Sequence, residues 1–534
     1  MLNTNIDTKK FKRLNEYLTE FEVNGVKLDK VTTEDFSLSD NPMITYVSYD
    51  SRDVILGTLF ICKGQSFKRD FLLQAIDKGA IAYVSEVDYQ VDLTLIKVND
   101  IRRAMAVSAS SYFSRPQDKL KIIGITGTKG KSTTVTLLYE VLKANAIKHG
   151  ESLPALISSY YTYDGYELKE ANLTTPEPME LFGILSNAVE AGLDTVVMEV
   201  SSQALKYDRV YGINYAYAAF LNISPDHISN VEHKDFEDYF TSKLKLVERS
   251  KNIVVNLETD LLERVLAAVS SETKLIKVGV SALDSELIAG HESDYRIDKF
   301  KYELNGMEFA LTKTFADLHF KTDLHGKYNL ENIVVVIAIA NEIGVDIDSI
   351  QKGLEALDWN KKSQILKLDS QNEEIVFIID RAHNGLSFKV VFDFAKKLFP
   401  DYKRSIVFGT VGNKSESRRK DLAEACNGNV DKVYLTRDDN NFESLEDINR
   451  EIITHLDSSK LIWTCIDERE DAIEQAFSDA EIDWQVNGNK TCLFIMGKGD
   501  DRYNYVNGKR VPYEGDEFYA RQAMRKFRSA NRES

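Results

Sequence analysis

The residues with the clearest chemistry lie in one glycine-rich stretch, Thr126-Gly-Thr-Lys-Gly-Lys-Ser-Thr133. An apolar run at residues 120–125 precedes it and a helical pattern follows, and in that order glycine backbone amides and a helix N-terminus can bind phosphate oxygens together. In such a loop Lys131 neutralises the β- and γ-phosphates, and Ser132 offers its hydroxyl to Mg²⁺. The stretch predicts a nucleotide phosphate site, with a ligand-free glycine-rich turn as the alternative.

Two further polar side chains follow predicted strands. Glu199 comes after the apolar residues 195–198, and His227 follows the run at residues 217–224. In open α/β sheets ligands gather at the carboxyl ends of the strands, so both side chains can converge on the glycine-rich loop. A carboxylate and a neutral imidazole beside triphosphate oxygens can complete an octahedral Mg²⁺ shell. For each side chain taken alone, a structural role is the alternative.

Composition narrows the class of protein. A chain of 534 residues is long enough for about three domains. Hydrophobic residues make up 43% and charged residues 28%, which is typical of globular proteins in water. The net charge of −17 argues against a nucleic acid or an anionic membrane as partner. Residues 1–10 lack the apolar core of a signal peptide and no run is long enough to span a membrane, so we expect a cytoplasmic protein, and a monomer.

Hydrophobic periodicity divides the chain into three predicted domains at residues 1–118, 119–357 and 358–534. The first mixes short strand-like runs with helical patterns. In the second, strands and helices alternate, as a largely parallel sheet with helices on both faces requires. The alternation restarts after residue 359 without a glycine-rich loop, which predicts a second doubly wound domain. The predicted fold class is therefore α/β.

Several motifs resemble those of the Mur ligases, which use ATP to join an amino acid to a carboxylate. The glycine-rich stretch looks like their ATP loop. Further motifs occur in the order expected of one branch, the MurE-type UDP-N-acetylmuramyl-tripeptide synthetases: Tyr49-Asp-Ser-Arg-Asp53, Thr174-Thr-Pro-Glu177, Met198-Glu-Val-Ser-Ser-Gln-Ala-Leu205, Asn222-Ile-Ser-Pro-Asp-His227 and Gly326-Lys-Tyr-Asn-Leu-Glu-Asn332. The resemblance implies an N-terminal UDP-sugar-binding domain, a central ATP-binding domain with a parallel sheet, and a C-terminal Rossmann-like domain that binds the amino acid.

Carried over position by position, the resemblance implies three groups of site residues. The ATP site comprises Gly127, Thr128, Lys129, Gly130, Lys131, Ser132, Thr133, Asn329, Asn332 and His383. The UDP-muramyl-dipeptide site comprises Ser51, Thr174, Thr175, Ser201 and Arg209. The implied Mg²⁺ ligands are Ser132, Glu199, His227 and Lys243, and the implied catalytic residues are Lys131, Glu199, His227 and Lys243.

Lys243 falls where the family carries a carbamylated lysine, whose new carboxylate helps to hold a second Mg²⁺. The modification requires a neutral amine, so burial has to lower the pKa of the lysine first. The interval from His227 to Lys243 is slightly longer than in many family members, which leaves His233 without an assigned role. An ordinary surface lysine is the alternative, and Lys245 lies close enough in sequence to be confused with it.

The resemblance also implies where the incoming amino acid binds, at Asp438, Asp439, Asn441, Gly497 and Asp501. Branches that use meso-diaminopimelate carry an arginine at the position of Asn441, where it binds the distal carboxylate in a bidentate pair. That arginine is missing here. The acidic residues at 438, 439 and 501 suit a cationic side chain instead, which favours L-lysine, with ornithine as a close competitor.

Three departures from the family pattern bear on the ATP site. Arg381 stands where the family has a tyrosine, and residues 361–366 lack an expected Gly-Arg-Met-Glu segment. The sequence Gly412-Asn-Lys414 replaces a Gly-Asp-Arg loop. An ATP-contacting arginine is therefore either absent or supplied by Arg381.

The leading hypothesis is an ATP-dependent amide ligase. It adds a diamino acid, L-lysine in the first place, to UDP-N-acetylmuramoyl-L-alanyl-D-glutamate through an acyl phosphate during peptidoglycan precursor synthesis. One alternative keeps the chemistry and changes the carboxylate or the amino acid, as in the folylpolyglutamate synthases. Another is a homologue that binds a nucleotide sugar without catalysis.

Overall fold

The protein is described by a computed structural model. The described residues are 11–32, 41–64, 67–225, 232–281, 287–288, 290–303, 306–312, 318–324, 326–356, 363–367, 374–412, 417–499 and 501–530. The chain divides into two compact units, here called the first and the second unit. The first contains Met1–Phe300, Phe309–Phe320 and Lys327–Ala356, and the second contains Lys301–Glu308, Lys321–Gly326 and Leu357–Ser534.

The first unit begins with a five-stranded sheet in the order β2-β7-β6-β5-β4, parallel except for the pair β2 and β7. Apolar side chains of two helices, including Tyr17 and Phe21, pack with strand residues such as Val47 in one buried cluster. The elements are β1 Lys12–Arg13, α1 Leu14–Val23, β2 Leu28–Thr32, β3 Met43–Ile44, β4 Tyr46–Ser48, β5 Thr58–Ile61, α2 Arg69–Asp77, β6 Ala80–Ser85, β7 Thr94–Val98 and α3 Ile101–Tyr112.

An eleven-stranded sheet follows, in the order β11-β10-β9-β12-β8-β13-β14-β15-β18-β19-β20. Its elements are β8 Lys121–Thr126, α4 Lys131–His149, β9 Ala155–Ile157, β10 Tyr161–Tyr163, β11 Leu168–Glu170, α5 Pro178–Glu190, β12 Thr195–Glu199, α6 Ser202–Lys206, β13 Tyr217–Phe220, α7 Phe236–Glu248, β14 Asn252–Asn256, α8 Leu262–Ala267, β15 Lys274–Val280, β16 Leu287–Ile288, β17 His291–Glu292, β18 Tyr295–Glu303, β19 Gly306–Thr312, β20 Leu318–Thr322, α9 Lys327–Glu342 and α10 Ile347–Glu355.

Strand β8 lies in the interior of this sheet, parallel to β12 on one side and β13 on the other. Its residues Ile122, Ile123 and Ile125 are fully buried. A parallel strand that is apolar in consecutive positions requires cover on both faces, which helices on the two sides of the sheet supply. The glycine-rich loop therefore leaves the sheet at the carboxyl end of an interior strand.

The second unit contains a six-stranded sheet in the order β21-β22-β26-β23-β24-β25, parallel except for β21. Its elements are β21 Ser363–Lys367, β22 Ile375–Asp380, α11 Gly385–Leu398, β23 Lys403–Phe408, α12 Ser417–Cys426, β24 Lys432–Leu435, α13 Leu445–Ile453, β25 Ile462–Cys465, α14 Arg469–Asn487, β26 Thr491–Met496, β27 Tyr503–Val506, β28 Lys509–Pro512 and α15 Asp516–Ala530. Two apolar clusters pack against its opposite faces.

The predicted α/β class is confirmed, with a largely parallel central sheet and a second sheet near the C-terminus. The sequence did not predict the strands β10 and β11 or the hairpin β27–β28, because these segments are short and largely exposed and so carry no apolar pattern. Among the described residues no helix is both long and apolar enough to cross a membrane. The division into three domains stays a prediction.

Candidate active site

The glycine-rich loop is closed by a glycine that no other residue can replace without strain. Gly130 forms the N-cap of α4 with φ +85°, in the left-handed region that favours glycine. A Cβ atom there would lie 2.3 Å from the Oδ1 atom of Asn332 on α9. The loop and Asn332 are therefore in direct contact, as expected if both line the nucleotide.

A residue without a predicted role, Asn222, holds the loop in place. Its side chain accepts a hydrogen bond from the Lys129 amide at 2.9 Å and donates one to the Lys129 carbonyl at 3.1 Å. Its own carbonyl accepts from the Thr128 amide at 2.9 Å. Asn222 stands two residues after β13, so its position at the carboxyl end of a neighbouring strand was the available signal.

Lys131 and Lys243 meet at one carbonyl oxygen. Lys131 Nζ donates to the carbonyl of Gly127 at 2.9 Å and to that of Thr128 at 3.1 Å. Lys243, only 1% exposed on α7, donates to the same Gly127 oxygen at 2.8 Å, and its ammonium lies 4.8 Å from the ring centre of Tyr239. Lys243 is thus a buried residue that bonds to the phosphate loop, and not the surface lysine of the alternative interpretation.

Glu199 is the last residue of β12 and is fully buried. Its carboxylate accepts from the backbone amide of Ser159 at 2.7 Å and from the Ser159 hydroxyl at 3.1 Å, and it also hydrogen-bonds to Ser132. Burial raises the pKa of Glu199, while the bonds from Ser159 and the charge of Lys131 act in the opposite direction. The carboxylate therefore lies beside the hydroxyl that was predicted to face Mg²⁺.

One cleft of about 160 Å³ brings six of the predicted residues of the first unit together. Its lining includes Lys131, Thr174, Thr175, Ser201, Arg209 and Lys243. Thr175 connects the parts, because its hydroxyl donates to the Glu199 carbonyl and accepts from the Ser201 amide, both at 3.0 Å. Phosphate-loop residues and the residues expected to bind the muramyl dipeptide therefore share one space.

Arg209 is held in the cleft by an ion-pair chain. Its guanidinium lies 2.9 Å from Glu177, which also pairs with Lys63 at 2.8 Å. Burial lowers the pKa of Lys63, and Glu177 opposes that change. Ser51, in contrast, donates to Gln74 on α2 at 3.0 Å and is not among the described residues that line the cleft.

His233 also lines the cleft, although it had no predicted role. It is fully buried, with Nε2 3.1 Å from the Ser202 hydroxyl and Nδ1 3.4 Å from a carboxylate oxygen of Asp238. Burial lowers the pKa of the imidazole more than the Asp238 carboxylate raises it. A neutral histidine that bridges α6 and α7 is consistent with these contacts.

In the second unit, three of the residues expected to bind the amino acid, Asp438, Asp439 and Gly497, lie close together. Lys498 is 1% exposed and its ammonium lies 2.9 Å from Asp439 and 3.4 Å from Asp438. A Cβ atom on Gly497 would lie 3.1 Å from Asp438. Asp501 pairs with Arg381 at 2.5 Å. The two aspartates, Gly497 and the unpredicted Lys498 are thus brought together.

Two predicted residues of this unit have backbone partners. Asn441 has φ +50°, and its side chain accepts from the Gly508 amide at 3.0 Å, which anchors the hairpin β27–β28. The ring of His383 is exposed and its Nδ1 lies 2.9 Å from the Arg381 carbonyl. Asn441 therefore also has a structural role, because it anchors the hairpin.

Part of the predicted site lies outside the described residues: His227, Lys414 and the side chains of residues 361–366. Within the described part, no group of three His, Cys, Asp or Glu side chains is arranged to hold a metal ion. Glu199 and Ser132 nevertheless supply adjacent oxygen donors, the ligand type that Mg²⁺ prefers. The residues present fit a Mg²⁺ ion that is held mainly by substrate phosphates.

Comparison with known proteins identifies the family. Residues 125–340 match the Mur ligase middle domain and residues 366–499 match the Mur ligase glutamate ligase domain. A relative from Streptococcus pyogenes serotype M3, UDP-N-acetylmuramoyl-L-alanyl-D-glutamate--L-lysine ligase, is 36% identical over 472 residues, which cover 88% of this chain and 91% of the relative.

Two solved structures show the same fold. A UDP-N-acetylmuramoyl-L-alanyl-D-glutamate--2,6-diaminopimelate ligase superposes with a TM-score of 0.65 and 23% identity, covering 93% of this chain and 98% of the other. MurF from Acinetobacter baumannii gives a TM-score of 0.57 and 16% identity, covering 95% and 98%. With the phosphate loop and the shared cleft, these matches show that the chain belongs to the Mur ligase family, and it is an ATP-dependent ligase that forms amide bonds.

Proposed function

We propose that this ligase adds L-lysine to UDP-N-acetylmuramoyl-L-alanyl-D-glutamate. The observation that carries the proposal is the shared cleft, in which Lys131 and Lys243 lie beside Thr174, Thr175, Ser201 and Arg209. A ligase that activates a carboxylate with ATP needs the phosphate loop and the carboxylate donor in one space, because the reacting atoms must meet. The S. pyogenes relative is named for this substrate and this amino acid.

The first step activates the substrate carboxylate. A carboxylate oxygen attacks the γ-phosphorus, the bond to the ADP oxygen breaks, and an acyl phosphate forms. Lys131 is placed to stabilise the charge on the transferred group, since its flexible ammonium already lies at the loop carbonyls. Mg²⁺, when bound, would neutralise phosphate charge, with Ser132, Glu199 and, by resemblance, His227 as its ligands.

The second step forms the amide. The amine nitrogen of the amino acid attacks the acyl carbon, the carbon–oxygen bond to phosphate breaks, and the nitrogen loses a proton. Arg209 and Thr175 orient the substrate end that reacts, because both are fixed by neighbours inside the cleft. Asn329 belongs to the proposed nucleotide site and Ser51 to the proposed UDP site, while the role of His383 stays a prediction from the resemblance.

Lys243 is proposed to act as a carbamate. Its near-complete burial supports the proposal, because burial favours the neutral amine that reacts with CO₂. The Gly127 carbonyl and the Tyr239 ring stabilise the ammonium form and therefore oppose it. A carbamate in this place would add a carboxylate to the oxygen donors at Glu199.

Lysine is proposed over meso-diaminopimelate on the charge of the amino-acid site. Asp438 and Asp439 carry two negative charges and Lys498 one positive charge, so the cluster retains one negative charge. A cationic side chain complements that charge and a distal carboxylate is repelled by it. Ornithine carries the same charge on a shorter chain and is the second candidate.

Because the substrates of this reaction are nucleotides of the cell interior, we place it in the cytoplasm. We also propose that the protein is a monomer. Phosphate release, measured with ATP, the muramyl dipeptide and each of lysine, ornithine and meso-diaminopimelate, tests the proposal. Preference for diaminopimelate overturns the assigned amino acid. Binding of the UDP substrate without phosphate release for any amino acid indicates a non-catalytic homologue.

A further inference from the structure

Lys498 is the one member of the aspartate cluster that sequence reasoning left out. It is the second residue after β26 and is 1% exposed, and a lysine is rarely buried without a partner. Its two partners are the carboxylates that the proposed function assigns to the incoming amino acid. The residue therefore lies behind the amino-acid site and not on the protein surface.

The Lys498 ammonium contacts the Oδ1 atom of both aspartates. Lys498 Nζ lies 2.9 Å from Asp439 Oδ1 and 3.4 Å from Asp438 Oδ1. Asp439 Oδ1 also accepts from the Tyr505 amide at 2.9 Å, and Asp438 Oδ1 from the Asp439 amide at 2.8 Å. Both Oδ1 atoms are thus occupied by the protein, while the Oδ2 atoms receive no hydrogen bond from any described residue.

This arrangement has two physical effects. One ammonium cancels one of two neighbouring negative charges, so the pair can stay ionised side by side. The same contacts fix the rotation of both carboxylates, so that each presents its second oxygen away from Lys498. A buried ammonium that lost both partners would be costly, so Lys498 stays in place when a ligand binds.

We propose that Lys498 is a positioning residue that sets the geometry and the net charge of the site for the side-chain ammonium of the incoming amino acid. The inference rests on the proposed function. Two Oδ2 atoms held at a fixed separation accept hydrogen bonds from one ammonium, whereas two mobile, mutually repelling carboxylates do so less well. Lys498 does not touch the amino acid in this proposal.

The test is steady-state kinetics of the full-length enzyme with Lys498→Met, which keeps the length of the side chain and removes its charge. We expect the KM for lysine to rise by about tenfold or more, while kcat and the KM values for ATP and the UDP substrate change by less than about threefold. Lys498→Arg restores part of the lysine affinity because it restores the charge.

Lys432→Met is the matched control, since Lys432 forms an ion pair with Asp479 in the same unit. A merely structural role for Lys498 predicts that both methionine variants lower thermal stability and kcat alike, and that result overturns the inference. An unchanged KM for lysine overturns it as well. A lower KM would show that Lys498 competes with the substrate ammonium, which also contradicts a positioning role.

The proposed function can fail separately. If the wild type uses ornithine or another diamino acid instead of lysine, the same KM comparison is made with that acid and still tests Lys498. If the wild type uses an amino acid without a side-chain ammonium, both proposals are wrong. If the wild type uses lysine but Lys498→Met does not raise the KM for lysine, the assigned substrate is retained and the proposed role of Lys498 is wrong.

Discussion

The phosphate-loop cleft and the amino-acid site are built in different ways. In the cleft, predicted residues converge on one space and many are held by backbone atoms, as Lys131 and Lys243 are by the Gly127 carbonyl. In the amino-acid site, the predicted charges are compensated by other side chains of the chain, namely Lys498 and Arg381. The proposed phosphate site is thus encoded in a few consecutive residues, whereas the proposed amino-acid site is assembled from side chains of separate segments.

The largest expected effect is at the loop. Lys131→Ala should lower ligation at least about a thousandfold, because the charge on the transferred phosphoryl group loses its ammonium partner. Affinity for the UDP substrate should persist, since Lys131 donates to the loop carbonyls of Gly127 and Thr128. Isothermal calorimetry measures that affinity, and Lys143→Ala on the same helix is the control. If a folded Lys131→Ala variant loses ligation activity and affinity for the UDP substrate to the same extent, the assignment of Lys131 to the phosphate site is wrong.

Lys243→Ala tests whether the buried lysine belongs to the catalytic group. Activity should fall about a hundredfold or more, and short carboxylic acids should restore part of it by replacing the carbamate. Lys245→Ala is the control, because Lys245 lies on the same helix as Lys243 but donates to the Leu205 carbonyl on α6 and not to the loop carbonyl. Full activity in Lys243→Ala would refute the role.

Asn441 tests the second region, where backbone geometry and specificity overlap. Asn441→Arg should weaken lysine use, and it opens meso-diaminopimelate use if the arginine reaches the distal carboxylate. It should also cost about 1–2 kcal/mol of stability, because the bond to Gly508 is lost and φ +50° is unfavourable for arginine. Asn441→Gly separates the two effects, since glycine tolerates this φ. Competition assays and thermal unfolding measure them, and unchanged lysine use in Asn441→Arg would exclude Asn441 from the site.

The smallest effect concerns the helix that carries Asn332. Burial, together with the charge of Glu258, raises the pKa of Glu331 from 4.5 to about 7. Lys327 faces both carboxylates, and Asn256 donates to Glu331 at 3.5 Å. Because the folded state holds this proton more tightly than the unfolded state, stability should fall as the pH rises from 4.5 to 7.

Glu331→Gln should remove that part of the pH dependence. Above pH 7 the variant should melt about 2 °C higher than the wild type, and at pH 4.5 the two should agree. Glu342→Gln is the control: Glu342 lies on the same helix as Glu331 and pairs with Lys274 on β15, so this variant should leave the pH dependence unchanged. Parallel melting curves of wild type and Glu331→Gln across this range would contradict the raised pKa.

The phosphate loop was predictable because its signals are contiguous. The loop, the strand before it and the helix after it lie within residues 120–149, and Glu199 marks a strand end. Asn222 lies in one of the family motifs, yet nothing in the sequence indicates that its side-chain amide bonds to both the backbone amide and the carbonyl of Lys129. Lys498 and Asp439 are 59 residues apart, so only the fold shows that they form a pair.

The same difference between contiguous and distant signals holds for the elements of the fold. Buried parallel strands such as β8 and β26 were predicted from apolar runs, because both faces of such a strand must be covered. The hairpin β27–β28 was not, since most of its side chains are exposed or half-buried and its position is set by Asn441 and Asp439. Elements held by distant side chains leave little pattern in the local sequence.

The carbonyl oxygen of Gly127 concentrates positive charge in an otherwise acidic protein. While Lys243 is not carbamylated, two ammonium groups bound to this oxygen lie at most about 6 Å apart, close enough to repel each other. An incoming polyphosphate relieves this repulsion, so the unmodified loop attracts anions. We therefore expect the nucleotide affinity of the unmodified protein to weaken steeply with ionic strength, and inorganic polyphosphates to compete with ATP for the same loop.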